Sequence, residues 1–491
     1  MPPCEGLFVS QLLHPDLISA NLITLAMAES FFNRELEFAE LAAAWATPGA
    51  ALVTLWGRRR VGKSTLLSHF AADKRSVYLY GTRMTERDIL ADLALQAAAA
   101  FDDAYLRSAP FPTWDAALDY LAGQARNQRL LVVFDEFPYL CEVTDGLDTL
   151  VQRWWDRVHQ SARLMLVLAG SGFSFMEGLT GARGALHGRR TAQVAVHPFD
   201  YLDAAQFFPH LNAEDKVRAY ACFGGIPAYL RHWVGKGGLA EQVQRTLLSP
   251  GHVLNREGEE LLRTEFHQEA LYASILRAVA SGEERPSDIA RGAGRHSAVE
   301  IFDHLRRLQE LRFLRREVSI TEWQRPRSHR VVYRLADPYL RFWFRFVSPY
   351  QSFLQLGKGA EVWSREIRPS LDEFVARTSW EEVCTQHLWR LLRKDQIRAR
   401  FTQLGRWWDG KDEIDLVGLW RDRVTLVGEC KWTAARVDSG MLTALQRKAA
   451  KLPLDEEPLW VLVSRSGFDR ALQQRATRGE ILLVTPDSLF L

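Results

Sequence analysis

The sequence predicts an α/β fold with a parallel sheet first, a mainly helical middle and a smaller α/β region at the end. Three observations support this fold class. Apolar runs alternate with helical segments from residue 51 to about 200, which is typical of a parallel sheet covered by helices on both faces. A glycine-rich loop joins the first apolar run to a helix. After residue 380 the alternation of strand-like and helical segments returns.

The glycine-rich loop at 57–64 reads Gly-Arg-Arg-Arg-Val-Gly-Lys-Ser, a complete phosphate-binding G-x-x-x-x-G-K-[ST] motif. A strand-like run precedes it and a helix start follows it, so backbone N–H groups and the helix N-terminus point at phosphates. We expect Lys63 to pair with the β- and γ-phosphates and the Ser64 hydroxyl to hold Mg²⁺. A chance match in a basic loop is the alternative, which the flanking segments disfavour. The predicted nucleotide contacts are Gly57, Arg58, Arg59, Arg60, Val61, Gly62, Lys63, Ser64 and Thr65.

A second motif, Asp135-Glu136, ends the apolar run 130–134, which fits a strand buried on both faces. Ligand groups in parallel sheets lie just past the carboxyl ends of strands. We therefore expect Asp135 to contact Mg²⁺ and Glu136 to polarise the attacking water. The alternative is a pair of solvated acids after a core strand. The run 76–80 supplies a further strand between the two motifs.

Two more candidates follow later strands and loops. Ser171 comes after the apolar run 164–169, where it is placed to sense the γ-phosphate, although a serine there is also an ordinary turn residue. Arg189 lies near the end of a Gly- and Arg-rich loop at 181–190, and such arginines stabilise charge on the transferred phosphoryl group. A solvated loop explains Arg189 equally well. An arginine acting on a neighbouring copy would require a homo-oligomer.

Residues 269–335 predict three helices and a β-hairpin, the order of a winged helix. Arginines crowd the third helix and the hairpin, and basic surfaces of this kind attract the phosphates of DNA. A winged helix used only for internal packing is the equal alternative. The arginines concerned are Arg306, Arg307, Arg312, Arg315, Arg316, Arg325, Arg327 and Arg330.

The C-terminal region predicts a metal-dependent site on one sheet edge. Period two places Glu429 and Lys431 on the same face of a strand, and Asp415 begins the neighbouring strand. Asp415 and Glu429 would bind Mg²⁺, Glu381 would complete the metal site, and Lys431 would orient the water that attacks a phosphodiester. Exposed Glu-x-Lys pairs are common, but here the flanks are apolar and burial without a role is costly. Support is expected from Gln446 and Lys448.

With these residues in place, the chain resembles the archaeal-type ATPases of the STAND class, within the wider AAA+-like group of P-loop proteins. The resemblance begins near residue 29. It implies ATP as the nucleotide, a helical lid in which Pro227 senses it, and DNA-linked roles. Relatives often carry a second serine where this chain has Gly172. The C-terminal part is similar to the family's appended domain of unknown function, related to the PD-(D/E)xK nucleases. The resemblance rests on Phe32-Asn33-Arg34-Glu35, residues 57–64, Asp135-Glu136, Gly170-Ser171, Gly188-Arg189, Pro198-Phe199 and residues 224–230.

At 491 residues the chain is too long for one core, so several domains are expected. The fold prediction is a P-loop NTPase parallel sheet with a helical lid, a winged helix and a small restriction-endonuclease-like α/β domain. The predicted boundaries are 1–28 for a disordered extension, 29–200 for the ATPase core, 201–260 for the lid, 261–350 for the winged helix and 351–491 for the nuclease-like domain.

The composition argues against zinc-binding, disulfide-rich and membrane-spanning proteins. The five cysteines are scattered without a C-x-x-C pair, which argues against structural zinc and disulfides and favours a reducing cytoplasm. No apolar run reaches the length of a membrane span, so we expect no membrane partner.

The sequence as a whole predicts an ATP-hydrolysing switch. ATP and Mg²⁺ are the predicted cofactors, and DNA is the predicted partner, with a homo-oligomer or a protein partner left open. Nucleotide state would set whether DNA is bound or cut. The alternative is a nucleotide-gated regulator or scaffold that binds DNA or protein and cleaves nothing.

Overall fold

The computed structural model describes residues 33–181, 184–266, 269–322 and 331–491. The predicted extension 1–28 lies outside this range, as do Phe32, Arg325, Arg327 and Arg330. Contacts between Cα atoms divide the chain into two compact units, residues 1–197 and 198–491. Among the described residues, no helix combines the length and the hydropathy that crossing a bilayer requires.

The described part of the first unit forms a five-stranded parallel sheet in the order β2-β3-β4-β1-β5. Every residue of β1, β3 and β4 is buried, because helices cover both faces of the sheet. The strands are β1 (Ala51–Trp56), β2 (Ser76–Tyr80), β3 (Leu130–Asp135), β4 (Leu164–Gly170) and β5 (Ala192–Ala195). The helices are α1 (Glu35–Ala46), α2 (Lys63–Ala71), α3 (Glu86–Phe101), α4 (Trp114–Gln124), α5 (Phe137–Val143), α6 (Leu147–Val158) and α7 (Phe173–Thr180).

The strand order brings the predicted motifs to one edge of this sheet. Trp56, at the end of β1, is the register partner of Gly170, at the end of the neighbouring β4. Asp135 ends β3, which pairs with the other side of β4. Because all these strands are parallel, the loop after β1, Asp135 and Ser171 lie at the same carboxyl edge.

The second unit opens with helices that a glycine pair interrupts. Gly224 has φ of 68°, which glycine adopts without strain, and ends α9. A Cβ on Gly225 would lie 1.8 Å from the carbonyl oxygen of Phe199, so only glycine fits this close backbone approach. Pro227 is buried at the start of α10. The helices are α8 (Tyr201–Ala204), α9 (Ala213–Phe223), α10 (Pro227–Leu230), α11 (Leu239–Thr246) and α12 (Val253–Glu265).

The middle of the second unit contains three α-helices followed by a two-stranded antiparallel sheet. The third helix ends at Glu310, because Arg312 adopts the left-handed backbone conformation with φ of 57°. The elements are α13 (Glu269–Ala280), α14 (Pro286–Gly292), α15 (Phe302–Glu310), β6 (Leu314–Val318) and β7 (Val331–Leu335).

The rest of the second unit is a helical stretch and a second five-stranded sheet in the order β12-β11-β10-β9-β8, counted over the described residues. Strands β8, β9 and β10 are antiparallel neighbours, whereas β11 and β12 run parallel to β10. The strands are β8 (Gln403–Trp408), β9 (Glu413–Trp420), β10 (Arg423–Lys431), β11 (Leu454–Ser464) and β12 (Ile481–Val484). The helices are α16 (Pro338–Phe342), α17 (Gln351–Gln355), α18 (Gly359–Val362), α19 (Arg368–Thr378), α20 (Trp380–Arg393), α21 (Ser439–Ala449), α22 (Arg470–Thr477) and α23 (Pro486–Leu489).

One hydrophobic core cluster extends from Phe199 to Leu489. The segments predicted as lid, winged helix and nuclease-like domain therefore share buried apolar side chains within the second unit. The subdivision of this unit into three domains stays a prediction.

Candidate functional site

The phosphate-binding loop leads directly into α2. Gly62 precedes the helix with φ of 93°, and Arg60 also has positive φ, at 70°, so the loop turns tightly before Lys63. The Lys63 side chain is 5% exposed, and its Nζ donates to the carbonyl oxygen of Gly57 at 3.1 Å. Burial lowers the pKa of Lys63, while the carboxylates of Glu136 and Asp135 oppose that shift. A buried ammonium group therefore lies within the turn of the loop.

Asp135 is fully buried and accepts three hydrogen bonds. The Ser64 hydroxyl donates to its Oδ2 at 2.5 Å, the Tyr78 hydroxyl donates to the same oxygen at 2.6 Å, and the Glu136 N–H donates to Oδ1 at 3.0 Å. A serine hydroxyl and a carboxylate in contact are hard oxygen donors of the kind that Mg²⁺ takes together with substrate phosphates. Ser64 and Asp135 thus fit the predicted ion.

Glu136 lies between the loop lysine and the end of β4. Its backbone has φ of 50°, in the left-handed region, and its Oε1 is 3.6 Å from Lys63 Nζ. Ser171 donates to Glu136 Oε2 twice, from its N–H at 3.2 Å and from its hydroxyl at 2.9 Å. In this structure the polar partner of Ser171 is therefore the candidate water-polarising carboxylate. Its predicted role as a γ-phosphate sensor stays a prediction.

Tyr78 and Arg34 belong to this site but were not among its predicted residues. Tyr78 lies in the predicted strand β2, but only the pairing of β2 with β3 brings its hydroxyl to Asp135. Burial and the charge of Asp135 raise the pKa of Tyr78 well above its usual value, so the phenol stays a proton donor. Arg34 is 6% exposed and donates to the carbonyl oxygens of Val61 and His197, each at 2.7 Å. The Phe-Asn-Arg-Glu segment was the available signal for Arg34.

Arg59 and Arg189, two other residues predicted for this site, have protein side chains as partners. Arg59 hydrogen-bonds the Tyr139 hydroxyl. Arg189 makes a two-pronged ion pair with Asp156 on α6, at 2.6 and 2.8 Å, and no described contact joins it to Lys63 or Glu136. Pro227 belongs to the second unit.

The predicted C-terminal cluster comes together on β9 and β10. Lys431 Nζ donates to Glu429 Oε1 at 2.6 Å and lies 4.0 Å from Asp415 Oδ2. The N–H of Cys430 donates to Asp415 Oδ2 at 2.8 Å. Lys448 on α21 contacts Glu429 at 3.3 Å, and its supporting role stays a prediction. Burial, followed by the negative charges of Glu381 and Glu429, raises the pKa of Asp415 to about 7.

Glu381 has a different environment from the one predicted for a metal ligand. Its Oε2 is 3.2 Å from Arg406 Nε and 3.5 Å from Arg334 Nη1. Burial raises the pKa of Glu381 against the attraction of these two arginines. Asp415 and Glu429 offer the oxygen donors that suit Mg²⁺. Nowhere in the described ranges do three or more His, Cys, Asp or Glu side chains cluster in an arrangement that could hold a metal ion. The described contacts therefore leave Glu381 with arginines as its partners.

The arginines of the helix–hairpin segment divide into two groups. Arg315 contacts Glu317 at 2.5 Å and Glu382 at 3.1 Å, which ties the hairpin to α20. The exposed arginines are Arg306, Arg307, Arg312 and Arg316. Arg306 and Arg307 each form an ion pair with an acid on their own helix, and exposed pairs of this kind contribute little free energy.

The fold and the first site define an ATPase of the P-loop type. Residues 31–232 match a family described as an ATPase domain predominantly from Archaea, and residues 343–447 match a family of archaeal and bacterial proteins of unknown function. The chain thus carries an archaeal-type ATPase domain and a C-terminal domain of unknown function, and the prediction of an ATPase is confirmed.

Similar proteins agree with this description. An uncharacterized protein of Methanocaldococcus jannaschii is 26% identical over 406 residues, which cover 82% of this chain and 87% of that protein. The Walker-type ATPase of Pyrococcus abyssi matches in structure with a TM-score of 0.50 and 20% identity, over 65% of this chain and 97% of its own. That likeness supports the fold. The Aeropyrum pernix ORC2 protein in ADPNP–ADP complexes has a TM-score of 0.41 and 13% identity, over 68% of this chain and 98% of its own.

Proposed function

We propose that this protein is an ATP-driven switch that controls the binding of DNA and its Mg²⁺-dependent cleavage. The ATPase domain supplies the nucleotide step. The observation that carries the proposal of cleavage is the meeting of Asp415, Glu429 and Lys431 on β9 and β10, with Asp415 and Glu429 nearly buried. Placing two nearly buried carboxylates beside a partly exposed ammonium group costs free energy of folding, and we take that cost as support for a functional role.

In the ATPase site, each side chain has a distinct task. Lys63 moves its ammonium group from the carbonyl oxygen of Gly57 to the β- and γ-phosphates. Ser64 and Asp135 hold Mg²⁺, which when bound neutralises phosphate charge. Glu136 polarises the attacking water, and Ser171 releases Glu136 in order to reach the γ-phosphate. Arg189 and Pro227 are proposed to respond to the nucleotide, the former by stabilising charge in the transition state.

In the C-terminal domain, Asp415 and Glu429 would hold Mg²⁺, which when bound would supply charge neutralisation and activate water. Lys431 orients the attacking water, and Lys448 keeps Glu429 in place. Glu381 would also bind this ion once the arginines that contact it release its carboxylate.

DNA binding is proposed for the segment from α13 to β7. Three helices followed by an antiparallel strand pair support a winged helix, and the side chains of Arg312 and Arg316 are exposed beside the hairpin. Exposed guanidinium groups attract phosphates without sequence preference.

A second candidate function is a nucleotide-gated regulator that cleaves nothing. The contacts that favour it are the cations already present around the acids. Lys431 and Lys448 both pair with Glu429, and Arg334 and Arg406 both pair with Glu381. These positive charges compete with a metal ion for the same oxygens.

A cleavage assay separates the two functions. The protein is incubated with supercoiled and linear DNA and with single strands, with Mg²⁺ or Mn²⁺ and with or without ATP. We expect strand breakage that Asp415→Ala and Lys431→Ala each abolish. Glu457→Ala, which removes an exposed carboxylate on β11, is the matched control and should cut normally. Absence of breakage under every condition would favour the regulator, and breakage that survives Asp415→Ala would refute the assigned site.

A further inference from the structure

The candidate cleavage site opens into a cavity within the second unit. This cavity measures about 660 Å³, and Asp415 and Lys431 form part of its wall. Other parts of the wall come from elements distant in sequence, including Arg345 in the π-helix Trp343–Val347 and Arg377 near the end of α19. The candidate site thus lies in a cleft that several neighbouring elements line.

A second cavity of about 520 Å³ also reaches Asp415. It extends along β6 and β8, and Arg316 lies in its wall. The two cavities share Glu381, Arg406 and Asp415 as lining residues. They therefore adjoin at the candidate site, where the Glu381–Arg406 ion pair belongs to the wall of both.

The arginines that line the two cavities differ in how close their charges lie to carboxylates. Arg334 and Arg406 lie close to glutamates. Arg345 is exposed, and no carboxylate of the described ranges lies within ion-pair distance of it. Arg377 is 69% exposed and its pair with Glu373, at 3.5 Å, is equally open to water, so the pair contributes little. Arg345 and Arg377 are thus available to a polyanion.

We propose that the nucleic acid taken by this site is single-stranded DNA, which passes Arg345 and Arg377 to reach Asp415. This inference rests on the proposed function of the C-terminal domain. Cavities of roughly 300 to 1,000 Å³ enclose one small molecule, so each cavity holds about a nucleotide or two. A cube of 660 Å³ has an edge of about 9 Å, which is less than the width of about 12 Å of the major groove alone, so a duplex does not fit inside either cavity. Single-strand sites commonly track the backbone with a positively charged groove.

The test compares a fluorescent single strand with its blunt duplex by anisotropy and by cleavage, with the full chain and Mg²⁺. Arg345→Ala and Arg377→Ala are each expected to weaken single-strand binding several-fold. Each should lower the slope of log affinity against log salt by about 0.7, the value for one phosphate contact. Neither should alter duplex binding, which is proposed for the helix–hairpin segment. Arg365→Ala, which removes an exposed arginine outside both cavities, is the matched control.

The outcomes distinguish this inference from the proposed function. Cleavage of duplex with single strands left intact overturns the inference and leaves nuclease function standing. Single-strand binding that depends on Arg345 and Arg377 but is not followed by cleavage supports the inference and removes nuclease function. Unchanged single-strand binding by both variants, or no single-strand binding by the parent chain, overturns the inference.

Discussion

The hydroxyl of Tyr78 offers a sharp test of the ATPase site, because Tyr78→Phe removes one oxygen and leaves the ring in place. That hydroxyl donates to Asp135 Oδ2, the oxygen that also accepts from Ser64. In the proposed site the Ser64 hydroxyl would also bind Mg²⁺ through its oxygen, whereas the Tyr78 hydroxyl has no second task. Tyr78 is thus the side-chain donor whose described role is to hold this buried carboxylate.

The size of the effect follows from the charge and burial of Asp135. A hydrogen bond to a charged group contributes about 1.5 to 3 kcal/mol. Each 1.36 kcal/mol of transition-state stabilisation corresponds to about a tenfold change in rate. If Tyr78 holds Asp135 in its working orientation during hydrolysis, Tyr78→Phe should lower kcat/KM for ATP by about 10-fold to 150-fold.

The assay is steady-state ATP hydrolysis across a range of ATP and Mg²⁺ concentrations, with thermal unfolding measured in parallel. Tyr80→Phe is the matched control, since Tyr80 lies on the same strand, is 50% exposed and makes no described hydrogen bond through its hydroxyl. The Tyr78 variant should need more Mg²⁺ for half-maximal rate, whereas the Tyr80 variant should match the parent. Equal kcat/KM for both variants and the parent would refute the assigned role of Tyr78.

Other predictions concern neighbouring groups. Lys63→Ala should abolish hydrolysis, and Glu136→Gln should retain ATP in filter-binding assays without releasing phosphate; turnover by either variant would contradict its assignment. Ser171→Ala removes the hydroxyl hydrogen bond to Glu136 and keeps the one from the N–H; it should change kcat more than the Kd of ATP, and a change confined to Kd would argue against this. Arg34→Met leaves the Val61 carbonyl without a buried donor, at a cost of about 1 to 3 kcal/mol, so calorimetry should find ATP bound about tenfold more weakly. Unaltered affinity would show that Arg34 does not shape the loop.

The sequence predicted the first sheet well where apolar runs were long and buried. Strands β3 and β4 each extend only one residue beyond the predicted apolar runs 130–134 and 164–169, and β2 has the predicted bounds 76–80. Strand β5 was missed, since it has four residues, includes Gln193 and is only partly buried. Its pairing with β1 on one side, a contact between distant segments, is what makes it a strand.

In the C-terminal domain the sequence identified the acids and the lysine but not their partners. Glu429 and Lys431 are two residues apart on one strand, so periodicity alone places them together. The contacts of Glu381 with Arg334 and Arg406 connect three elements that lie far apart along the chain. No local pattern reports such contacts.

The sequence by itself determined the phosphate-binding loop, the acidic pair after β3 and the Glu-x-Lys strand, because each is a short contiguous motif whose geometry follows from backbone periodicity. Only the tertiary structure decided that Tyr78 donates a hydrogen bond to Asp135 and that Ser171 donates one to Glu136. It also decided that arginines form ion pairs with Glu381. These contacts depend on strand order and helix packing. Strand order and helix packing are set by burial of apolar side chains in the whole core. These polar contacts therefore form only when distant segments of the chain have packed together.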